Sequence, residues 1–163
     1  MEIHFVSIVA FRTALDSLLK VKKGVYASVP AEICRAFQNI PIEQIRSNRD
    51  MILMDNDSIT IKLRLPDSKQ RLSKANGYRL IYMVMKNIPV VALLTVYPKR
   101  GPLQKLDLES GELEKLIDAF SVESKAQQVV VHDIDFQNPT DRNWAIRYFI
   151  LPSVPSILTR QRY

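Results

Sequence analysis

The stretch SITIKLRLPDSKQRLSKANGYRLIYMVMKNIPVVALLTVYPKR, residues 58–100, decides the fold. From Ser58 to Leu65 apolar and polar residues alternate strictly: Ile59, Ile61, Leu63 and Leu65 take one side, Thr60, Lys62 and Arg64 the other. A period of two predicts a strand with one face on a core and one face wet, the usual condition in antiparallel sheets. Tyr78 to Met85 and Pro89 to Tyr97 read as two further strands joined by a short turn near Asn87, with Pro66 to Asn76 as a basic loop. Three consecutive strands with short connections predict an antiparallel meander.

Working outward, His4-Phe5-Val6 reads as a short strand. From Ile8 to Lys22 the residues Phe11, Ala14, Leu15, Leu18 and Leu19 recur at helical spacing, and Lys20, Lys22, Lys23 and Gly24 supply a C-terminal stop. A second helix is predicted from Pro30 to about Asn39, with the stripe Ile33, Phe37 and Ile40 and with Pro41 ending it. Cys34 lies beside that stripe and reads as packing. Met51 to Met54 is apolar, and Asp55-Asn56-Asp57 is a turn signal. After Gly101-Pro102, Asp107 to Phe120 reads as a helix with the stripe Leu113, Leu116, Ile117 and Phe120 and with Glu109 and Glu112 in its first turn. The expected class is α+β: an antiparallel sheet of about four strands, two N-terminal helices and one helix after the sheet.

Residues 121–163 form an extension. Gln128 to Asp135 and Trp144 to Leu151 read as strands about a turn at Asn138-Pro139, and Pro152 and Pro155 then break the pattern. With Trp144, Ile146, Phe149 and Ile150 the segment has enough apolar content to fold onto the same domain.

Composition narrows the function. Of 163 residues 47% are apolar and 25% charged, so the chain builds a real core and is not disordered. No apolar run is long enough to span a bilayer, and the N-terminus lacks the basic region of a signal peptide. A single cysteine fits a reducing, cytoplasmic setting. Two histidines and one cysteine far apart give no metal-ligand spacing, and no phosphate-cradling GxxxxGK[ST] or GxGxxG is present. No metal and no cofactor is expected.

The net charge of +6 is unevenly placed. Residues 58–105 hold Lys62, Arg64, Lys69, Arg71, Lys74, Arg79, Lys86, Lys99, Arg100 and Lys105 against the single acid Asp67, which is 10 − 1 = +9. The rest carries 13 − 16 = −3. Such a concentration is either a solvated basic face or the footprint of a polyanion site, with nucleic acid the first suspect.

Within that third lie Lys62-Leu63-Arg64, then Lys74, then Gly77-Tyr78-Arg79-Leu80-Ile81-Tyr82, then an apolar strand ending Tyr97-Pro98-Lys99-Arg100. In order and spacing these elements resemble the RelE/ParE family of bacterial toxins over residues 1–120, with 121–163 as an extra C-terminal segment. The resemblance implies a RelE-like fold and a type II toxin–antitoxin toxin. Its activity would be metal-independent mRNA endonuclease action, often at the ribosome, silenced by a cognate antitoxin. Operator DNA would be bound only through that antitoxin. A second branch of the family inhibits DNA gyrase and cuts no RNA, and a protein- or nucleic-acid-binding module is the further alternative. Fold likeness does not choose among them.

RNA cleavage without metal has the 2′-hydroxyl attack the adjacent phosphorus. A base takes its proton, cations stabilise the phosphorane, and an acid protonates the leaving 5′-oxygen. On the resemblance Arg79 would grip the scissile phosphate, Lys74 would act as base or phosphate ligand, and Lys99 and Arg100 would stabilise the transition state. Lys62 and Arg64, on the wet face of one strand, are expected on the RNA backbone together with Lys69 and Arg71. Tyr97 either stacks on a base or packs half in the core. The family often carries a tyrosine or histidine near its C-terminal end as acid or base, and residues 101–120 contain neither. His132, Tyr148 and Tyr163 lie in the extension. His132 itself reads as a solvent-facing strand histidine, and His4 as structural. The extension would add strands to the sheet edge or cover the groove an antitoxin uses.

Overall fold

The computed structural model describes residues 2–132 and the backbone of residues 148–149. Strand β1 (His4–Ser7) leads directly into helix α1 (Val9–Leu19), whose stripe Phe11, Leu15 and Leu18 is buried. Helix α2 (Val29–Phe37) carries Pro30 in its first turn and buries Ile33, Cys34 and Phe37. A short helix α3 (Ile42–Arg46) follows. Helix α2 already stops at Phe37, with Asn39 left-handed at φ +55°, so Pro41 does not end it as expected but precedes α3. Its fixed φ of −70° suits the residue preceding a first turn. Arg46 ties α3 to the sheet by donating from Nε to Met85 O (2.8 Å) and from Nη2 to Ile88 O (2.9 Å).

The strands that follow are β2 (Met51–Met54), β3 (Ser58–Leu65), β4 (Tyr78–Met85) and β5 (Val90–Pro98). Helix α4 (Glu112–Lys125), β6 (Val130–His132) and β7 (Tyr148–Phe149) complete the described chain. The β2–β3–β4–β5 meander is antiparallel throughout, as the alternation predicts. The class is α+β, but the sheet is mixed and larger than expected, with the order β2-β3-β4-β5-β1-β6-β7. The mixing comes from β1, which runs parallel to β5 in the register His4↔Val90 to Ser7↔Leu93. A pairing across more than eighty residues leaves no mark in local periodicity.

Strands β4 and β5 are buried at every residue, so both of their faces lie in the core. The Phe37 ring stands 5.0 Å from Phe5 and 5.2 Å from Tyr82, so α2 joins β1 to β4. Ile59, Ile61 and Leu65 are buried as the pattern requires, and Leu63 is half-buried. Thr60, assigned to the wet side, is buried instead, in register with Met83 of the fully buried strand β4. Strand β2 is the exception to burial: Met51, Ile52, Leu53 and Met54 are all exposed at the sheet edge. A bulge in the β4–β5 ladder, between the pairs Ile81↔Thr95 and Tyr82↔Leu93, leaves Leu94 as an extra residue.

Helix α4 begins at Glu112, five residues later than its stripe suggested, and it runs on through residue 120 to Lys125. Gly111, at φ +80°, holds a left-handed turn immediately before it, and helical geometry cannot pass through that residue. Beyond α4, β6 adds to the free edge of β1 in antiparallel register. Of the expected strand Gln128 to Asp135, residues 133–135 lie outside the described residues. So do the turn at Asn138-Pro139, Pro152, Pro155, Tyr163 and all of Trp144 to Leu151 except 148–149.

His132 is a strand residue but does not face solvent: it is 4% exposed. Pairing opposite Phe5 carries it under α1, where its Nε2 lies 2.6 Å from Ser7 Oγ and its ring meets Phe11 edge-on. Burial and then the Arg12 charge lower its pKa to about 4.

A cationic face on three strands and the loop that meets it

The register of the meander sets the candidate site. Arg64 on β3 lies opposite Arg79 on β4, and Arg79 opposite Tyr97 on β5. These residues form one row across three strands, and side chains in a row share a face of the sheet. Lys62, two residues before Arg64, extends the same face. Lys99, whose N–H donates to Gly77 O (2.8 Å), continues the β5 register two residues beyond Tyr97.

Gly77 is what lets β3 and β4 meet at this end. A Cβ there would lie 2.0 Å from Leu65 O and under 3 Å from the backbone of Pro66 and Asp67. The loop between the strands is built on Asp67, the lone acid of the basic third. Its backbone exchanges hydrogen bonds with Leu72 (Asp67 N to Leu72 O, 3.0 Å; Leu72 N to Asp67 O, 2.9 Å). Its buried carboxylate accepts from Ser28 Oγ (2.9 Å), Gln70 N (3.1 Å) and Gln70 Nε2 (2.7 Å). At the far end of β5 the Tyr26 hydroxyl donates to Arg100 O (2.8 Å) and accepts from Leu103 N (3.0 Å), fixing the turn at Gly101. A Cβ at Gly101, where φ is +93°, would come 2.5 Å from that hydroxyl.

The side chains differ in how they meet the site. Arg79 is 9% exposed, and its fork is engaged: Nη1 donates to Lys74 O (2.9 Å) and Tyr78 O (3.2 Å), and Nη2 to Ala75 O (2.9 Å). It therefore clamps the loop from beneath while lending its charge to the face. A two-pronged grip on a phosphate requires it to release those carbonyls. Burial and then the Arg64 charge push its guanidinium below the ordinary value, although an arginine stays protonated at any working pH. Arg64 is exposed and Lys62 is partly so. The Tyr97 ring is buried, with Lys105 Nζ 5.7 Å from its centroid, so its hydroxyl rather than its ring is directed to the site. Burial first, then Asp107, raises the Tyr97 pKa above its ordinary value.

Asp107 is the member that the sequence reading did not single out. From the loop that leads to α4, its Oδ1 lies 3.0 Å from Lys62 Nζ, 3.3 Å from the Tyr97 hydroxyl and 2.8 Å from the Leu108 N–H. The hydrogen bond from Lys62 and then that from Leu108 hold its carboxyl below the usual range. Lys99 Nζ donates to Leu106 O on the same loop. Burial and then the Arg79 charge lower the Lys99 pKa, which eases loss of its proton.

Lys62, Arg64, Arg79, Tyr97 and Lys99 are thus brought together. Four other expected residues take separate places. Lys74 offers its carbonyl to Arg79, while its side chain lines a groove with Glu32, Arg35 and Arg64. Lys69 lines a cavity against Ala27, Ser28 and Pro30. Arg71 is exposed on the loop at φ +57°. Arg100 is exposed, with Nη1 donating to Lys99 O (3.2 Å). Among the described residues no group of three or more His, Cys, Asp or Glu side chains could hold a metal ion, and no helix is long and apolar enough to cross a membrane.

Comparison with protein-family models, with curated proteins and with solved structures finds no match to this chain.

Proposed function

We propose that this chain is the toxin of a type II toxin–antitoxin pair and cleaves mRNA without a metal, as the RelE/ParE resemblance implies. One observation carries the reading: a single sheet face joins Lys62, Arg64, Arg79 and Lys99 to the Tyr97 hydroxyl and the Asp107 carboxylate. Fixed cations are what a pentavalent phosphorane needs, since they stabilise charge where it develops without reorganising. Lys62 and Arg64 bind the RNA backbone, and Lys99 stabilises the transition state. Arg79 supplies charge from below and shapes the loop through Lys74 and Ala75. The substrate is mRNA on the ribosome, the site of action the cytoplasm, and the silencing partner a cognate antitoxin that covers the cationic face.

A second reading has an observation of its own. The fork of Arg79 is held by loop carbonyls, and residues 101–120 carry no tyrosine or histidine to act as proton donor. Both favour a non-nucleolytic member of the fold that inhibits a topoisomerase. Product chemistry separates the two. Programmed ribosomes incubated with the purified chain would yield fragments with 5′-hydroxyl and 2′,3′-cyclic phosphate or 3′-phosphate ends, the products of 2′-hydroxyl attack. Intact mRNA together with arrested supercoiling by gyrase would move the assignment to the second reading.

A further inference from the structure

The cationic face already holds an anion, and it comes from the chain itself. Asp107 Oδ1 sits within 3.0 Å of Lys62 Nζ and 3.3 Å of the Tyr97 hydroxyl, and its field reaches Arg79 and Lys99. An acidic side chain at the centre of a surface meant for polyanions opposes binding unless it moves. Two features make it able to move. The ion pair is exposed, with Lys62 at 31% and Asp107 at 63%, the regime in which salt bridges contribute least. Asp107 also belongs to a connecting loop, not to the sheet: α4 begins only at Glu112.

We propose that the Asp107 carboxylate is the resident occupant of a subsite for one phosphodiester group, built from the Lys62 ammonium and the Tyr97 hydroxyl with the charges of Lys99 and Arg79 on the same face, and that a phosphate enters by displacing it. A carboxylate and a phosphodiester are both monoanions with oxygens that accept from an ammonium and a hydroxyl at the same distances. Exchange of one for the other leaves Lys62 and Tyr97 paired throughout. The resident carboxylate weakens adventitious anion binding, so a substrate must bring further contacts, such as Arg64, to win the exchange. This deepens the nucleic-acid reading of the face and rests on it for the identity of the phosphate's owner.

The test is Asp107→Asn, which keeps an oxygen for the Leu108 N–H and the Tyr97 hydroxyl and removes only the charge. Glu112→Gln removes one charge nearby, from the Lys105 ion pair, at a carboxylate that makes no hydrogen bond to Lys62 or Tyr97. Inorganic pyrophosphate and a single-stranded RNA decamer serve as probes at fixed low salt. Asp107→Asn is expected to bind both about threefold to fivefold more tightly than the wild type, the scale of one unit charge removed at contact range from an exposed site. Glu112→Gln is expected to change binding less than about twofold by the same argument from distance and screening. Equal gains from the two substitutions, or weaker binding by Asp107→Asn, would overturn the proposal. The two ideas fail separately. Tighter pyrophosphate binding by Asp107→Asn with no RNA binding by any form keeps the subsite and removes RNA as its ligand. RNA binding that depends on Arg64 but ignores Asp107 keeps the RNA reading and removes the subsite.

Discussion

Lowering the pH from 7.5 to 4.5 should destabilise this protein chiefly through one residue, His132. Its Nε2 lies 2.6 Å from Ser7 Oγ, and Arg12 Nη1 donates to that same oxygen (3.1 Å) and to Ser7 O (2.8 Å). With the Ser7 oxygen taken by the guanidinium, the hydroxyl proton is free for an unprotonated Nε2. A protonated imidazole would be a buried charge and a second cation beside Arg12. Burial first, and then the Arg12 charge, lower the folded pKa from the ordinary 6.5 to about 4. Between those two values the unfolded chain binds a proton that the folded chain refuses, so stability drops as pH falls through the window. A displacement of two to three pK units corresponds to roughly 3 kcal/mol, a large share of a total near 5–15 kcal/mol. Asp107 does not confuse the window, because its carboxyl is held below its ordinary 3.8 and its contribution is lost only at lower pH. Urea denaturation followed by circular dichroism at pH 7.5, 6.5, 5.5 and 4.5 measures the effect for the wild type and for His132→Gln. The stability difference between the two forms should shrink by roughly 3 kcal/mol from pH 7.5 to pH 4.5. A difference that stays constant with pH would refute the reasoning.

Two further predictions separate backbone demands from charge. Gly77→Ala forces a Cβ to within 2.0 Å of Leu65 O; thermal denaturation should show a loss on the order of 1–3 kcal/mol, and an unchanged midpoint would mean the strands part freely there. Arg79→Ala and Arg64→Ala should behave oppositely. Arg79→Ala leaves the Lys74 and Ala75 carbonyls without their donor and should cost about 1–3 kcal/mol of stability. Arg64→Ala should leave stability within about 0.5 kcal/mol and reduce the salt slope of single-stranded RNA binding by about 0.7. An unstable Arg64→Ala, or an Arg79→Ala of full stability, would reverse the roles assigned to them.

How much of this was legible before the structure depended on the range of the interaction. The alternation from Ile59 to Leu65 encodes which side is wet, so Lys62 and Arg64 were placed on one face correctly. The three meander strands were equally plain, since each pairs with its sequence neighbour. The β1–β5 pairing and the addition of β6 to β1 were hidden, because they join distant segments whose local patterns fit any partner. That same addition buried His132, a residue whose own neighbours in sequence resemble those of a surface strand. Pro41 marks the start of α3 and not the end of α2, because a proline in a sequence is compatible with either place. The motif singles out Arg79, but the hydrogen bonds that hold its fork go to backbone carbonyls, which no residue type announces. Asp107 stands two residues past the end of the basic third, and an acid that closes a cationic run was a signal available to be read. What the sequence could not supply was the loop path that carries it back to Lys62 and Tyr97.

The most direct test of the central claim is mapping of mRNA 5′ ends during tightly controlled expression in a bacterial host. Wild type would be compared with a Lys62→Ala, Lys99→Ala double variant, in which two of the face's cations are gone and the Arg79 clamp on the loop is untouched. The wild type should arrest growth and leave new 5′ ends inside translated codons, and the variant should do neither. Arrest with intact mRNA would contradict the claim, as would cutting that persists in the variant.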